Sequence, residues 1–415
     1  MREKSYRSMP PENSVDRRAF MKIGGAAGAG LIMAGRSLLA AEQQQQGQTQ
    51  AAPAAKPAPP AKPKTNIEDA FKVPRNKWSL PGPFPGRVVE VANDKAMPDG
   101  KPDASVIKTM VEKGIRELTG RNLKKSFRLF FERGDVVGLK VNPVGPGLIS
   151  TRLELVDAVI AWLESNGLPR KNIIIWDRFD FMLRDAGFTA ERFPGVGIEG
   201  LQTMDEAAAE GKTQDNSKWL RPDGTHVSAA NFDQGVYYWA DVDGPKDLPY
   251  LNQHVFNGKY SYFGNLLTKK LTKIINLPAF KNTGNAISMA TKNIGYGAVC
   301  NTNRLHRPLF LDVCVEVLAF APVRDKMVIN ITDGLRSQYD GGPDANAKFV
   351  YIDNRLYFAS DPFALDMICQ QKITAKRKEM GVAVNEHPRY TDYLRYAEKL
   401  GLGVVDPGKL QHVRV

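Results

Sequence analysis

An α/β fold is predicted, with a mostly parallel layered sheet, helices on both faces and one irregular aromatic-rich insertion. Three observations carry that prediction. Short runs rich in β-branched residues alternate with stretches whose apolar residues recur at helical spacing. The runs 135–142 and 172–177 flank the helical pattern 151–165, the spacing of a βαβ unit, which calls for right-handed parallel crossovers. Several runs also end on polar residues, and an open α/β sheet gathers ligands outside the carboxyl ends of its strands.

Residues 1–41 read as an address, outside the fold. Arg17-Arg18-Ala19-Phe20-Met21-Lys22 precedes a mildly apolar stretch of Ala and Gly, similar to a twin-arginine (Tat) export signal. Asp16 and Met21 stand where that pattern has Ser or Thr and Leu. The stretch is short and glycine-rich for a bilayer span, so cleavage near Ala40 or Ala41 is expected over a retained anchor, and no further transmembrane segment is expected. The twin-arginine route carries folded proteins, which implies contact with the export machinery and a periplasmic or otherwise exported location. Residues 42–64 are Gln, Ala and Pro without apolar periodicity, a disordered tether. Residues 65–415 are expected to form a single domain.

The formal net charge is +12, and residues 1–40 hold seven Lys/Arg against three Asp/Glu, which leaves +8 for the rest. That charge forms no long basic block, so nucleic-acid binding is not expected. Cys300, Cys314 and Cys369 are far apart, and without a CxxC pair there is no ferredoxin-type cluster motif or zinc ribbon. One disulfide could form in an oxidising compartment; Cys314 and Cys369 fall on apolar helix faces, so buried free thiols are the expectation.

Taken in order, 87–91 is a first strand and 105–119 a helix capped by Asp103 or Ser105. Strand 135–142 runs into the loop 143–147, helix 151–165 is closed by Gly167, and strand 172–177 ends on Asp177. Residues 211–264 break the rhythm: polar and aromatic-rich, they form either a lid over the sheet edge or an excursion packed by its own rings. Strand 271–278, helix 286–294 and helix 307–320 follow. Residues 348–358 read as a hairpin turning at Asp353-Asn354, 363–371 as a helix opened by Ser360-Asp361-Pro362, and 392–400 as a last helix.

A short strand at 327–331 would leave Asp333 at its end, with Asp340, Gly341, Gly342 and Asp344 in the loop that follows. Asp333, Asp340 and Asp344 are candidate ligands for a divalent cation such as Mg²⁺ or Ca²⁺, although the same residue types also serve a tight turn. Lys140 with Asn142, Asp177, and Lys281 with Asn282 and Gly284 end other strands, which a parallel sheet would bring to the same edge. Lysines among carboxylates suit a small anionic ligand, bound directly or through a metal, and Gly284 permits close backbone approach. In an enzyme, a cation at Asp333 and Asp340 would polarise the ligand while Lys140 or Lys281 stabilises developing negative charge. The five histidines are scattered, and His306 reads as a capping or surface residue. No P-loop, dinucleotide fingerprint, nucleophile elbow or HExxH is present, so catalytic residues stay unassigned. The alternative is a non-catalytic binding or maturation factor, exported folded with a redox or cofactor-bearing partner.

Lys140-Val141-Asn142, the segment 276–297, Asp333-Gly334 with Gly341-Gly342-Pro343, and the segment 359–366 together resemble the family named domain of unknown function 362, over roughly residues 88–371. Members of that family often carry an adjacent ferredoxin-like module and are then described as iron-sulfur proteins, a description this cysteine-poor chain does not share. The family usually has His in the Lys-x-His segment after the fourth strand, where this chain has Lys281-Asn282-Thr283.

Overall fold

The computed structural model describes residues 62–204, 219–242, 254–256, 258–306 and 309–415. The export signal and the linker up to residue 61 lie outside the described residues. The linker's last residues are held: the Lys62 amine pairs with Asp312 at 2.9 Å and Glu316 at 2.8 Å.

The central sheet has ten strands among the described residues. β1 (Arg87–Ala92) precedes α1 (Ala104–Thr119) and α2 (Leu123–Phe130). β2 (Val137–Val141), α3 (Leu153–Ser165), β3 (Ile173–Phe179), α4 (Asp180–Asp185) and β4 (Gly197–Gln202) form the expected βαβ run. β5 (Phe232–Trp239) and β6 (Tyr260–Gly264) make a separate antiparallel pair. β7 (Lys273–Leu277), β8 (Ala279–Thr283), β9 (Ala286–Ile287), α5 (Ala290–Gly295), α6 (Asp312–Ala319), β10 (Met327–Gln338), β11 (Val350–Ala359), α7 (Pro362–Glu379), α8 (Asp392–Lys399) and β12 (Gln411–Arg414) complete it. Across the sheet the order is β12-β1-β11-β10-β7-β2-β3-β4, parallel from β10 to β4 and antiparallel where β11 meets β10 and β1.

Both faces are covered, which is why β2 and β7 are buried at every position. One face packs Val89, Leu139, Ile175 and Phe358 against α1, α2 and α3; the other packs Trp176 and Ile274 against α6 and the β5–β6 pair. Helix ends follow their sequence signals. The Asp103 carboxylate accepts the Ser105 and Val106 amides, and Gly120 closes α1 at a φ of 64°. Asp361 caps α7, accepting the Phe363 and Ala364 amides at 3.0 Å and the amides of Gly86 and Val404 besides. The three cysteines are free and buried.

Four expectations are corrected. β10 does not stop at Ile331: it continues to Gln338 because β11 lies along one side and β8, carried past Pro278 from β7, lies along the other. Residues 348–358 are not a hairpin: after a 3-10 turn that ends at Phe349 they form one strand from Val350, in which Asp353 and Asn354 oppose Leu335 alone as a bulge, with Asn354 at a φ of 55°. The helix expected over 286–294 is split into β9 and α5, and α7 runs on past Gln371 to Glu379. In the described part of 211–264 the rings of Tyr237, Tyr260 and Tyr262 pack on one another, as the second alternative expects, while Tyr238 and Phe263 are fully buried with centroids 6.3 and 5.6 Å from that of Phe320.

Gly114 lets α1 lie against the sheet, since a Cβ there would stand 2.1 Å from the ring of Phe358, itself fully buried. Alanine would raise helix propensity by about 1 kcal/mol, yet overpacking of this kind costs about 1–3 kcal/mol. Gly114→Ala is expected to lower the midpoint of urea unfolding rather than raise it.

Candidate functional site

A cavity of about 1170 Å³ opens at the carboxyl ends of β2, β3 and β8. Its floor is a row of polar side chains at one level of the sheet. Lys140 pairs in register with Asn276, and Asn276 with Asn330. Asn276 donates to the Asn330 Oδ1 at 2.9 Å and accepts from the Asn293 Nδ2 at 2.8 Å. The Asn293 Oδ1 in turn accepts from Lys140 at 3.0 Å and from Asn142 at 3.3 Å.

Lys140 is 1 % exposed. Its ammonium donates to Asp177, to the Val141 carbonyl at 2.8 Å and to Asn293, which uses all three of its protons. Burial holds its pKa below the ordinary lysine value, and the Asp177 carboxylate opposes that fall. The glycine of the Gly-Tyr-Gly segment that faces it, Gly297, makes the fit possible: a Cβ there would lie 2.5 Å from the Lys140 Cε.

Lys281 is equally buried but differently served. Its amine donates to the Asn142 Oδ1 at 3.2 Å, and burial reinforced by the charge of Lys292 pushes its pKa down to about 7, against the pull of Asp344. Lys292 on α5 also lines the cavity, its amine 5.8 Å from the centre of the Tyr296 ring and its pKa lowered by burial. α5 is fixed in turn by the buried Asp366, whose carboxylate accepts the amides of Ala290 and Thr291 at 2.9 and 3.0 Å.

The loop after β10 forms the rim. The Gly342 amide donates to the Asn282 Oδ1 at 2.9 Å, and a Cβ on Gly342 would stand 2.2 Å from the Asn282 carbonyl, so only glycine fits. Asp340 pairs with Arg377 of α7 at 3.1 Å, and Arg377 also donates to the Gly284 carbonyl at 3.1 Å. Asp344 faces Lys281 and Lys292, and burial raises its pKa against their attraction. The outer wall is apolar, with Phe179, Met182, Leu309, Phe310 and Tyr390.

The sequence-predicted candidates Lys140, Asn142, Asp177, Lys281, Asn282, Gly284, Gly341, Gly342, Asp340 and Asp344 thus line one cavity. Asp333 does not. It lies inside β10, buried, and its carboxylate accepts the Arg152 amide at 2.7 Å and the Leu335 amide at 3.1 Å. It serves as the cap that Arg152 cannot supply at the start of α3. The carboxylate set Asp333, Asp340 and Asp344 is corrected accordingly: one caps a helix, one pairs with Arg377 and one faces two lysines. Among the described residues no group of three or more His, Cys, Asp or Glu side chains is placed to hold a metal ion.

Lys292, Asn293 and Tyr296 were not singled out by sequence. Their helix is six residues long, too short for periodicity to show which side faces the strands. His306 caps the end of the short 3-10 helix Asn303–Leu305, its Nδ1 3.2 Å from the Thr302 carbonyl, and also lines the cavity. It stacks on Tyr296 with centroids 4.3 Å apart, and burial beside the Lys292 charge pushes its pKa down to about 3, so it stays neutral.

Because Lys140 and Asp177 are both buried, removing one leaves the other uncompensated. Asp177→Ala is expected to cost about 3–5 kcal/mol in chemical denaturation, and Lys140→Met combined with Asp177→Leu to recover most of that loss.

Among the described residues no helix is long and apolar enough to cross a membrane. No curated protein and no solved structure matches the chain. The sequence model described as Domain of unknown function (DUF362) matches residues 137–371, starting at β2, later than the 88 at which the resemblance was drawn. That match spans more than half of the chain, which therefore belongs to the DUF362 family.

Proposed function

We propose that this DUF362 protein is exported and binds a small anion in the cavity at the strand carboxyl ends. The carrying observation is a charge imbalance at depth. Of the carboxylates lining the cavity, Asp177 is paired with Lys140, Asp340 with Arg377, Asp312 with Lys62 and Asp392 with Arg395. Asp344 alone is left to face both Lys281 and Lys292. A bound carboxylate or phosphate would supply the missing negative charge where water is scarce and each charge-assisted hydrogen bond is strong.

Oxalate is a suitable probe because its own charge is constant around neutral pH. It is expected to raise the thermal midpoint of the chain, and Lys281→Met or Lys292→Met to weaken its binding about tenfold in calorimetry. The pH dependence has a definite sign. A bound anion favours charged Lys281, so affinity should fall as pH rises through about 7, and Lys281→Met should remove that fall. In the ligand-free chain the same lysine binds its proton more weakly folded than unfolded. Stability should therefore rise with pH between about 7 and the ordinary lysine value of 10.5, and Lys281→Met should flatten this rise while stabilising the empty protein near neutral pH.

Export rests on the Arg17-Arg18 pair. Replacing both with Lys is expected to leave the full chain in the cytoplasm, read by cell fractionation.

A further inference from the structure

Binding an anion does not require a buried primary amine, and an arginine fork would hold a carboxylate with better geometry. Lys281 nevertheless lines the cavity at 1 % exposure, next to Asn142, with no carboxylate at ion-pair distance among the described residues. Lys140 shows what a structural lysine looks like here, with every proton given to a fixed acceptor. Lys281 has one such acceptor, a second cation in Lys292, and Asp344 facing both.

Resting on the anion-binding reading, we propose that Lys281 is a nucleophile that forms an imine with a small 2-oxo acid, whose carboxylate is held by Lys292. The outer wall of Phe179, Met182, Leu309 and Phe310 leaves room for an apolar group on the carbonyl carbon. The neutral Nζ attacks that carbon, forming the C–N bond as the carbonyl π pair moves onto oxygen, and a proton passes from nitrogen to that oxygen. The resulting hydroxyl takes up a proton from solvent, which Asp344, lining the same cavity, is placed to relay. Water leaves, the nitrogen lone pair closes the C=N bond, and the cationic iminium remains opposite the Asp344 carboxylate. Atoms and charge balance without any oxidant or reductant. The amine is available because burial and the neighbouring cation bring its pKa to about 7, so charged and neutral forms coexist near neutrality.

The test treats the purified full chain with pyruvate and sodium cyanoborohydride, followed by intact mass and peptide mapping. One reduced adduct per chain is expected, on the peptide holding Lys281. Its yield should increase between about pH 6 and about pH 8 as the amine loses its proton, and oxalate should suppress it. Lys281→Arg should lose the adduct yet keep the oxalate-induced thermal shift. Lys292→Met should keep the adduct and need about tenfold more pyruvate. Labelling spread over surface lysines, or unaffected by oxalate, overturns the proposal even if Lys281→Arg fails to fold. An oxalate shift without an adduct overturns the imine and leaves the anion site standing. The absence of both overturns the two together.

Discussion

A lysine ammonium with no access to water is tolerated only where the fold delivers its counter-charge, and the pairing of β2 with β3 does this for Lys140. Lys140 lies beside Trp176 in the parallel register, which puts Asp177 one step further on, at the strand's carboxyl end. The pair is not a source of stability, because desolvating two ions offsets their attraction. It constrains the surroundings. Asn293 must turn its oxygen towards Lys140, Asn276 must then accept from the Asn293 amide, and Asn330 must accept from Asn276. A polar chain of this kind has one satisfied arrangement and therefore fixes the level at which β2, β7, β10 and α5 meet.

With the floor fixed, the remaining cations acquire their character from what it withholds. Lys281 and Lys292 face the same space as Lys140 but lack its set of acceptors. Burial lowers the proton affinity of both, reinforced at Lys281 by the charge of Lys292, while Asp344 is pushed the other way. Opposed shifts within one enclosed space separate acid from base, the property on which proton-transfer chemistry draws. The near-complete burial of Lys281 keeps its local dielectric low enough for these effects to matter.

Much of this was legible in the sequence, for a reason that also marks where reading failed. Lys140, Asp177 and Lys281 each follow a β-branched run, and topology alone carries such residues to one edge. Asp333 follows the same pattern and misleads, because strand length is set by neighbours distant in sequence: β8 and β11 extend β10 past it, and an aspartate disfavoured in strands finds two backbone amides there. Asp353-Asn354 has turn chemistry but is a bulge, since β10 and β1 both pair with β11 beside it. Lys292 was hidden for the opposite reason, a helix too short to carry a period.

Arg377, near the end of α7, ties Asp340 and the Gly284 carbonyl together, and Tyr390 and Tyr393 extend the same side of the cavity. All three lie beyond residue 371, where the family match stops, whereas the lysines lie within it. Part of the cavity's wall therefore lies outside the segment that carries the lysines, while Phe179, Met182, Leu309 and Phe310 lie inside it. Substitutions at Tyr390 or Tyr393 can thus reshape one side of the entrance while leaving the three amines and the strands that carry them untouched.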